Sequence, residues 1–226
     1  MPQAFFLTGT DTEVGKTYTA AALLTHARRL GKLAVGVKPI ASGTDAAGKN
    51  EDVEALRAAS SAGFPEKITN TYLFSPPVAP HLAAAEAGVS IHFSPIREAV
   101  LAACQWVGET GVVVAEGVGG FCVPLGEEGD TADLAVFLGL PVILVVGMRL
   151  GCINHALLTA QAIARRDLIL AGWIANTQTL PAMPRFAENL ATLRTRLPAP
   201  LLGVVPAHPK GGIEEAARYL KLPEAG

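Results

Sequence analysis

Half of the 226 residues are apolar and only 17% are charged, a composition able to bury a sheet on both faces within a single domain over 1–226. The longest apolar stretch, Leu140–Met148 (LPVILVVGM), falls far short of the roughly 20 residues of a membrane helix, and the first residues carry no secretion signal. A net charge of −2 without a basic run argues against nucleic acid as a partner.

Strand and helix patterns alternate along the chain. Ala4–Thr8 (AFFLT) predicts a first strand, Gly15–Leu30 an alanine-rich helix and Leu33–Lys38 (LAVGVK) a second strand. Val112–Ala115, Val142–Val146, Leu168–Ala175 and Leu201–Val205 are further apolar runs without polar alternation, as expected of strands covered on both faces. Helical patterns fall between them at Asp52–Ser60, Pro95–Val107, Ala132–Leu138, Ile153–Arg166, Pro184–Arg196 and Glu214–Leu220. Such alternation predicts an α/β fold with a mostly parallel central sheet and helices on both faces. Two segments, Ser42–Asn50 and the proline-bearing Thr71–His81, read as long surface loops, which in such a fold often line a site. Cys104, Cys122 and Cys152 are odd in number and form no CxxC pair. They suggest neither a disulfide framework nor a zinc site, and read as buried thiols in a reducing cytoplasm.

The strongest motif is Gly9–Thr17, GTDTEVGKT. A Walker A loop joins a strand to a helix, so that backbone N–H groups and the helix N-terminus face phosphates. Its lysine reaches the β and γ phosphates and its hydroxyl ligates Mg²⁺. AFFLT supplies the strand and the helix opens at Lys16-Thr17, so the context fits on both sides. The spacing differs from the common pattern of four residues between the glycines, because five stand here, Thr10 to Val14.

A nucleotide-bound Mg²⁺ also calls for a carboxylate at a neighbouring strand end. Glu116 follows VVVA in that position, with Gly117, Gly119 and Gly120 behind it; a solvated strand-end charge is the alternative. Asp52 reads equally as a third ligand or as a helix N-cap.

Four segments taken together, GTDTEVGKT, GVKPIASG at Gly36–Gly43, VAEGVGG at Val114–Gly120 and LGCINHALLTAQAI at Leu150–Ile163, resemble dethiobiotin synthetase. The similarity runs from Phe5 to about Tyr219. It implies a homodimer that converts 7,8-diaminononanoate, CO₂ and ATP to dethiobiotin, ADP and phosphate through a carbamate and its mixed anhydride with phosphate.

By position, the resemblance implies that Glu13, Val14, Gly15, Lys16, Thr17 and Tyr18 wrap the phosphates, and that Thr17, Asp52 and Glu116 hold Mg²⁺. Lys38, at the end of the second strand, would stabilise the carbamate and the transferring phosphoryl group, with Thr12 and Ser42 supplying hydroxyls nearby. Pro80, Gly117, Val118 and Gly119 would line the diamine slot. Gly151, Cys152, Ile153 and Asn154 would open a partner-subunit helix toward the substrate carboxylate. Asn176 with Thr177, and Val205-Pro206-Ala207, would face the adenine, with Glu214 a further candidate for that wall. Asn189 stands where the family carries a tyrosine for the carboxylate, and the Ser42–Asn50 loop differs in length.

The residues Ile153–Ala164 contain no charged side chain if His155 is neutral. A helix buried on most sides, in a dimer interface or in the core of one subunit, would read that way. Two rival readings remain. A cobyrinate-type amide synthetase would be longer, with a glutamine-hydrolysing domain. A partitioning-type ATPase carries an extra lysine early in the loop, where this sequence has Asp11.

Overall fold

The structure is a computed structural model that describes residues 2–177, 181–207 and 209–224. In chain order the elements are β1 (Gln3–Gly9), α1 (Lys16–Arg29), β2 (Ala34–Ser42), α2 (Glu51–Ala59), α3 (Glu66–Thr69), β3 (Asn70–Phe74), α4 (Pro80–Glu86), α5 (Phe93–Val107), β4 (Val112–Glu116), β5 (Pro124–Gly126), β6 (Gly129–Asp130), α6 (Thr131–Leu138), β7 (Val142–Gly147), α7 (Cys152–Ala164), β8 (Leu170–Asn176), α8 (Phe186–Arg196), β9 (Leu201–Val205) and α9 (Gly212–Ala216). Seven strands form one sheet in the order β3-β2-β4-β1-β7-β8-β9, and all neighbours in it run parallel. The β5–β6 hairpin stands apart.

Alternate residues of each central strand enter opposite cores. Val113 and Ala115 of β4 pack with α4, α5 and α6, whereas Val112 and Val114 pack with α1, α2 and α9. Farther along the sheet, Leu144 and Val146 of β7 pack with α7 and α8. Burial on both faces explains why these strands read as continuous apolar runs.

The structure corrects several sequence expectations. Thr71–His81 is not a single loop: it contains most of the edge strand β3 and the start of α4, with Pro80 as the first residue of that helix. An edge strand with only Phe74 buried leaves no apolar run to read, and proline is well tolerated in a first helical turn. Strand β2 continues four residues past Lys38, to Ser42. It pairs with β4 through Val37 and with β3 from Lys38 onward, so Lys38 lies mid-strand rather than at a strand end. Of the cysteines only Cys152 is buried; Cys104 is intermediate and Cys122 exposed. Among the described residues no helix is long and apolar enough to cross a membrane.

Candidate active site

The loop after β1 lies at the C-terminal edge of the sheet, where parallel α/β folds bind their ligands. Gly15 precedes α1 with φ +83°, a left-handed conformation that costs glycine nothing. A Cβ there would sit 2.2 Å from Nδ2 of Asn176. The missing side chain lets Asn176, at the end of β8, donate to the Val14 carbonyl at 2.8 Å. Lys16 is buried, and its ammonium donates to the Asp11 carbonyl at 3.0 Å. Burial first, and then the nearby Lys38 ammonium, lowers the Lys16 pKa to about 8.

Register places the acidic residues opposite this loop. Val37 of β2 pairs with Ala115 of β4, so the next residues, Lys38 and Glu116, lie level with each other. The Lys38 ammonium is 2.5 Å from Oε1 of Glu116 and 2.7 Å from Oδ2 of Asp52. Thr17 donates its hydroxyl to the same Glu116 oxygen at 2.6 Å. Burial alone would lower the Lys38 pKa, but the two carboxylates outweigh it and hold the pKa above the ordinary lysine value. Burial likewise opposes the Asp52 charge; Lys38, with a contribution from Thr17, holds that pKa below the usual range. Asn50, not Asp52, caps α2 by accepting from the Val53 N–H, which leaves Asp52 in the first helical turn with its carboxylate on Lys38.

Glu116 is fully buried, yet its second oxygen, Oε2, has no hydrogen-bond partner. An orphaned buried carboxylate oxygen is costly unless something binds it. With the Thr17 hydroxyl and Asp52 beside it, the donor set is oxygen-only and suits Mg²⁺. Among the described residues no group of three or more His, Cys, Asp or Glu could hold a metal, which a cation carried mainly by phosphates and water does not require.

A cleft of about 950 Å³ joins these groups. Thr12, Glu13, Gly15, Lys16, Thr17, Tyr18, Lys38, Ser42, Asp52, Pro80, Glu116, Val118 and Gly119 line it. Gly117 stands just behind, its carbonyl 3.5 Å from the Lys38 ammonium. The sequence reading missed Glu51, Ala55, Val123 and Ile213 on its wall, and Pro77, Val78 and Ala79 were marked only by their proline-rich segment. A second pocket of about 420 Å³ shares Glu13 and Tyr18 and is otherwise lined by Asn176, Thr177, Pro206, Pro209 and Gly212. Val205 is fully buried in the core under α1, so its side chain faces away from that pocket. Ala207 is buried and is not part of the lining. Val14 is also a core residue and offers the site only its backbone. Glu214 pairs with Arg29 at 3.4 Å and leaves the base-sized pocket to its neighbour Gly212.

Gly151, Cys152, Ile153 and Asn154 do not line the chain's own cleft. The Cys152 side chain lies in the α7–α8 core. Within the single chain α7 is not a core helix: it buries only Cys152, Ala156, Ala160 and Ile163, while Leu158 and the preceding Leu150 are 56% and 91% exposed. Asn189 donates back to the Arg185 carbonyl within its own helix, at 2.8 Å.

This combination of sheet order, phosphate loop and facing acidic strand end defines a P-loop nucleotide-binding protein. The AAA domain family matches residues 3–213. Two solved structures share the fold at low identity: the cell division protein FtsY of Thermotoga maritima (TM-score 0.56, 16% identity, 96% of this chain and 68% of that one) and the cell division protein MinD of Aquifex aeolicus (0.54, 15%, 96% and 95%). Two curated relatives are far more similar. The ATP-dependent dethiobiotin synthetase BioD of Aromatoleum aromaticum is 56% identical over 98% of each chain, and that of Ralstonia nicotianae 49% identical over 98% of this chain and 97% of its own. The chain belongs to the ATP-dependent dethiobiotin synthetase family.

Proposed function

We propose that the protein makes dethiobiotin from 7,8-diaminononanoate, CO₂ and ATP, releasing ADP and phosphate in the penultimate step of biotin synthesis, in the cytoplasm. Family membership over nearly the whole chain carries this reading, and the continuity between a base-sized pocket, the phosphate loop and a longer cleft supports it.

The residues divide the work along that path. Asn176, Thr177 and Pro206 face the adenine, and Asn176 can both donate and accept. Glu13, Gly15, Lys16, Thr17 and Tyr18 surround the triphosphate, and the free N–H groups at the start of α1 point toward it. Thr17, Glu116 and Asp52 would hold Mg²⁺, which when bound screens the charge of the β and γ phosphates. The diamine lies against Pro80, Val118 and Gly119, with Ser42 and Thr12 near its carboxylated amine.

Lys38 keeps its proton and offers it to the carbamate oxygens, balancing their charge as one of them attacks the γ-phosphorus and ADP departs. The second amine then attacks the carbamoyl carbon. The carbon–oxygen bond to phosphate breaks, phosphate leaves with that electron pair, and the amine gives up a proton to close the ring. In a homodimer, the start of α7 from the second subunit would take the substrate carboxylate through the N–H groups of Gly151, Ile153 and Asn154, with the Cys152 N–H held by the Arg149 carbonyl. Exposed Leu158 on α7 and Leu150 just before it support such an interface.

Steady-state ADP release tests the reading, since a synthetase needs both diamine and bicarbonate to turn over. Hydrolysis of ATP at full rate with neither present would instead identify a nucleotide switch.

A further inference from the structure

Asp11 occupies the position where partitioning-type loops carry a lysine, and neither the metal set nor the cleft lining uses it. Its surroundings are nonetheless specific. One carboxylate oxygen accepts the Thr12 backbone N–H at 2.8 Å, and the other accepts the Arg149 guanidinium at 2.5 Å. The Asp11 carbonyl accepts the Lys16 ammonium. Arg149 belongs to the turn between β7 and α7, and its own carbonyl accepts the Cys152 N–H at 3.0 Å at the start of α7. Thr10 joins the same two segments, donating its N–H to Val145 at 3.0 Å and accepting from the Gly147 N–H at 3.4 Å.

We propose that Asp11 and Arg149 form a positioning clasp, which aims the Asp11 carbonyl at Lys16 and fixes the phosphate loop against the turn that starts α7. Both side chains are about half exposed, 46% and 50%, and ion pairs in that setting add little to folding stability. Orientation is what such a pair can still supply. A carboxylate held at both oxygens fixes the Asp11 peptide, and that peptide is the resting partner of the ammonium that meets the phosphates. The same pair sets where α7 begins relative to the loop of its own subunit. The clasp rests on the synthetase reading only through the assay chosen to test it.

The test compares Asp11→Asn, Arg149→Gln, the double variant and Arg149→Lys for dethiobiotin synthesis, nucleotide-analogue binding and thermal midpoint. Each of the first two should lower kcat/KM for ATP by about tenfold while the midpoint stays at the wild-type value, since small misplacements of reacting groups cost rate far more than stability. The double variant should be no worse than either single one, because a shared interaction is lost only once. Arg149→Lys, which keeps the charge, should regain most of the activity. Unchanged kcat/KM in either single variant, or single effects that multiply in the double, would overturn the clasp; multiplication would mean that Arg149 acts on the phosphates itself. A wild-type protein that makes no dethiobiotin would refute the functional reading instead.

Discussion

The ammonium of Lys38 lies 2.5 Å from Glu116 Oε1, and both side chains are almost wholly removed from solvent. Removing one member of a buried pair strands the other, at a cost of about 3–5 kcal/mol. Lys38→Gln should therefore lower the stability of the ligand-free protein by about that much, in addition to abolishing synthesis. Adding Glu116→Gln should recover most of the lost stability and none of the activity. Urea unfolding at pH 7 measures both. A Lys38→Gln protein as stable as wild type would show that the Glu116 charge is satisfied in some other way.

Lys16 gives a pH-dependent prediction of definite sign. Its pKa is about 8 in the nucleotide-free protein, and a bound triphosphate favours the protonated form. Affinity for nucleotide should be greatest below pH 8 and fall as pH rises through it, with uptake of nearly one proton per site on binding at pH 9. For folding the sign is opposite: burying the charged ammonium costs stability below pH 8, and that cost is relieved as pH rises from 8 toward the ordinary lysine value. Calorimetric titration of an ATP analogue in buffers of different ionisation heat gives the proton count; no uptake at pH 9 would contradict it.

Asn176 links the base pocket to the phosphate loop through the Val14 carbonyl. Losing that hydrogen bond in Asn176→Ala should weaken ATP binding by about three- to tenfold. Gly15→Ala should be far more damaging, because its new methyl group would fall 2.2 Å from the Asn176 amide at φ +83°. Combining the two should recover part of the Gly15→Ala defect, since the clash is removed while the backbone strain stays. Equal binding by Gly15→Ala and its combination with Asn176→Ala would contradict this geometry.

The exposed face of α7 makes a prediction about assembly. Leu158 is 56% exposed, and an arginine there would be buried without a partner in a dimer built on this face. Leu158→Arg should be monomeric by light scattering, bind an ATP analogue normally and lose most synthetic activity. A fully active monomer, variant or wild type, would remove the partner helix from the site.

Much of this arrangement was legible in the sequence, for physical reasons that differ by element. The central strands β4 and β7 announce themselves because both faces are covered and every residue before Glu116 and Gly147 is apolar. The phosphate loop is legible because a lysine and a hydroxyl at a helix start have few other uses. Strand β3 was not legible, being an edge strand with one buried residue in five. The extension of β2 past Lys38 was hidden by Lys38 and Pro39, which resemble a strand end. Only the third dimension shows that pairing passes there from β4 to β3. The contact of Asp52 with Lys38 was equally out of reach, since it depends on Asn50 taking the cap. So was the clasp between Asp11 and Arg149, residues 138 apart in the chain.

The measurement that bears most directly on the synthetase reading uses ¹³C-bicarbonate with 7,8-diaminononanoate and ATP, following the product by mass spectrometry and the nucleotide by ADP release. One labelled carbon in the ureido ring, with one ADP and one phosphate formed per dethiobiotin, is the expected result. ADP formed without labelled dethiobiotin, or at the same rate when the diamine is left out, would contradict it.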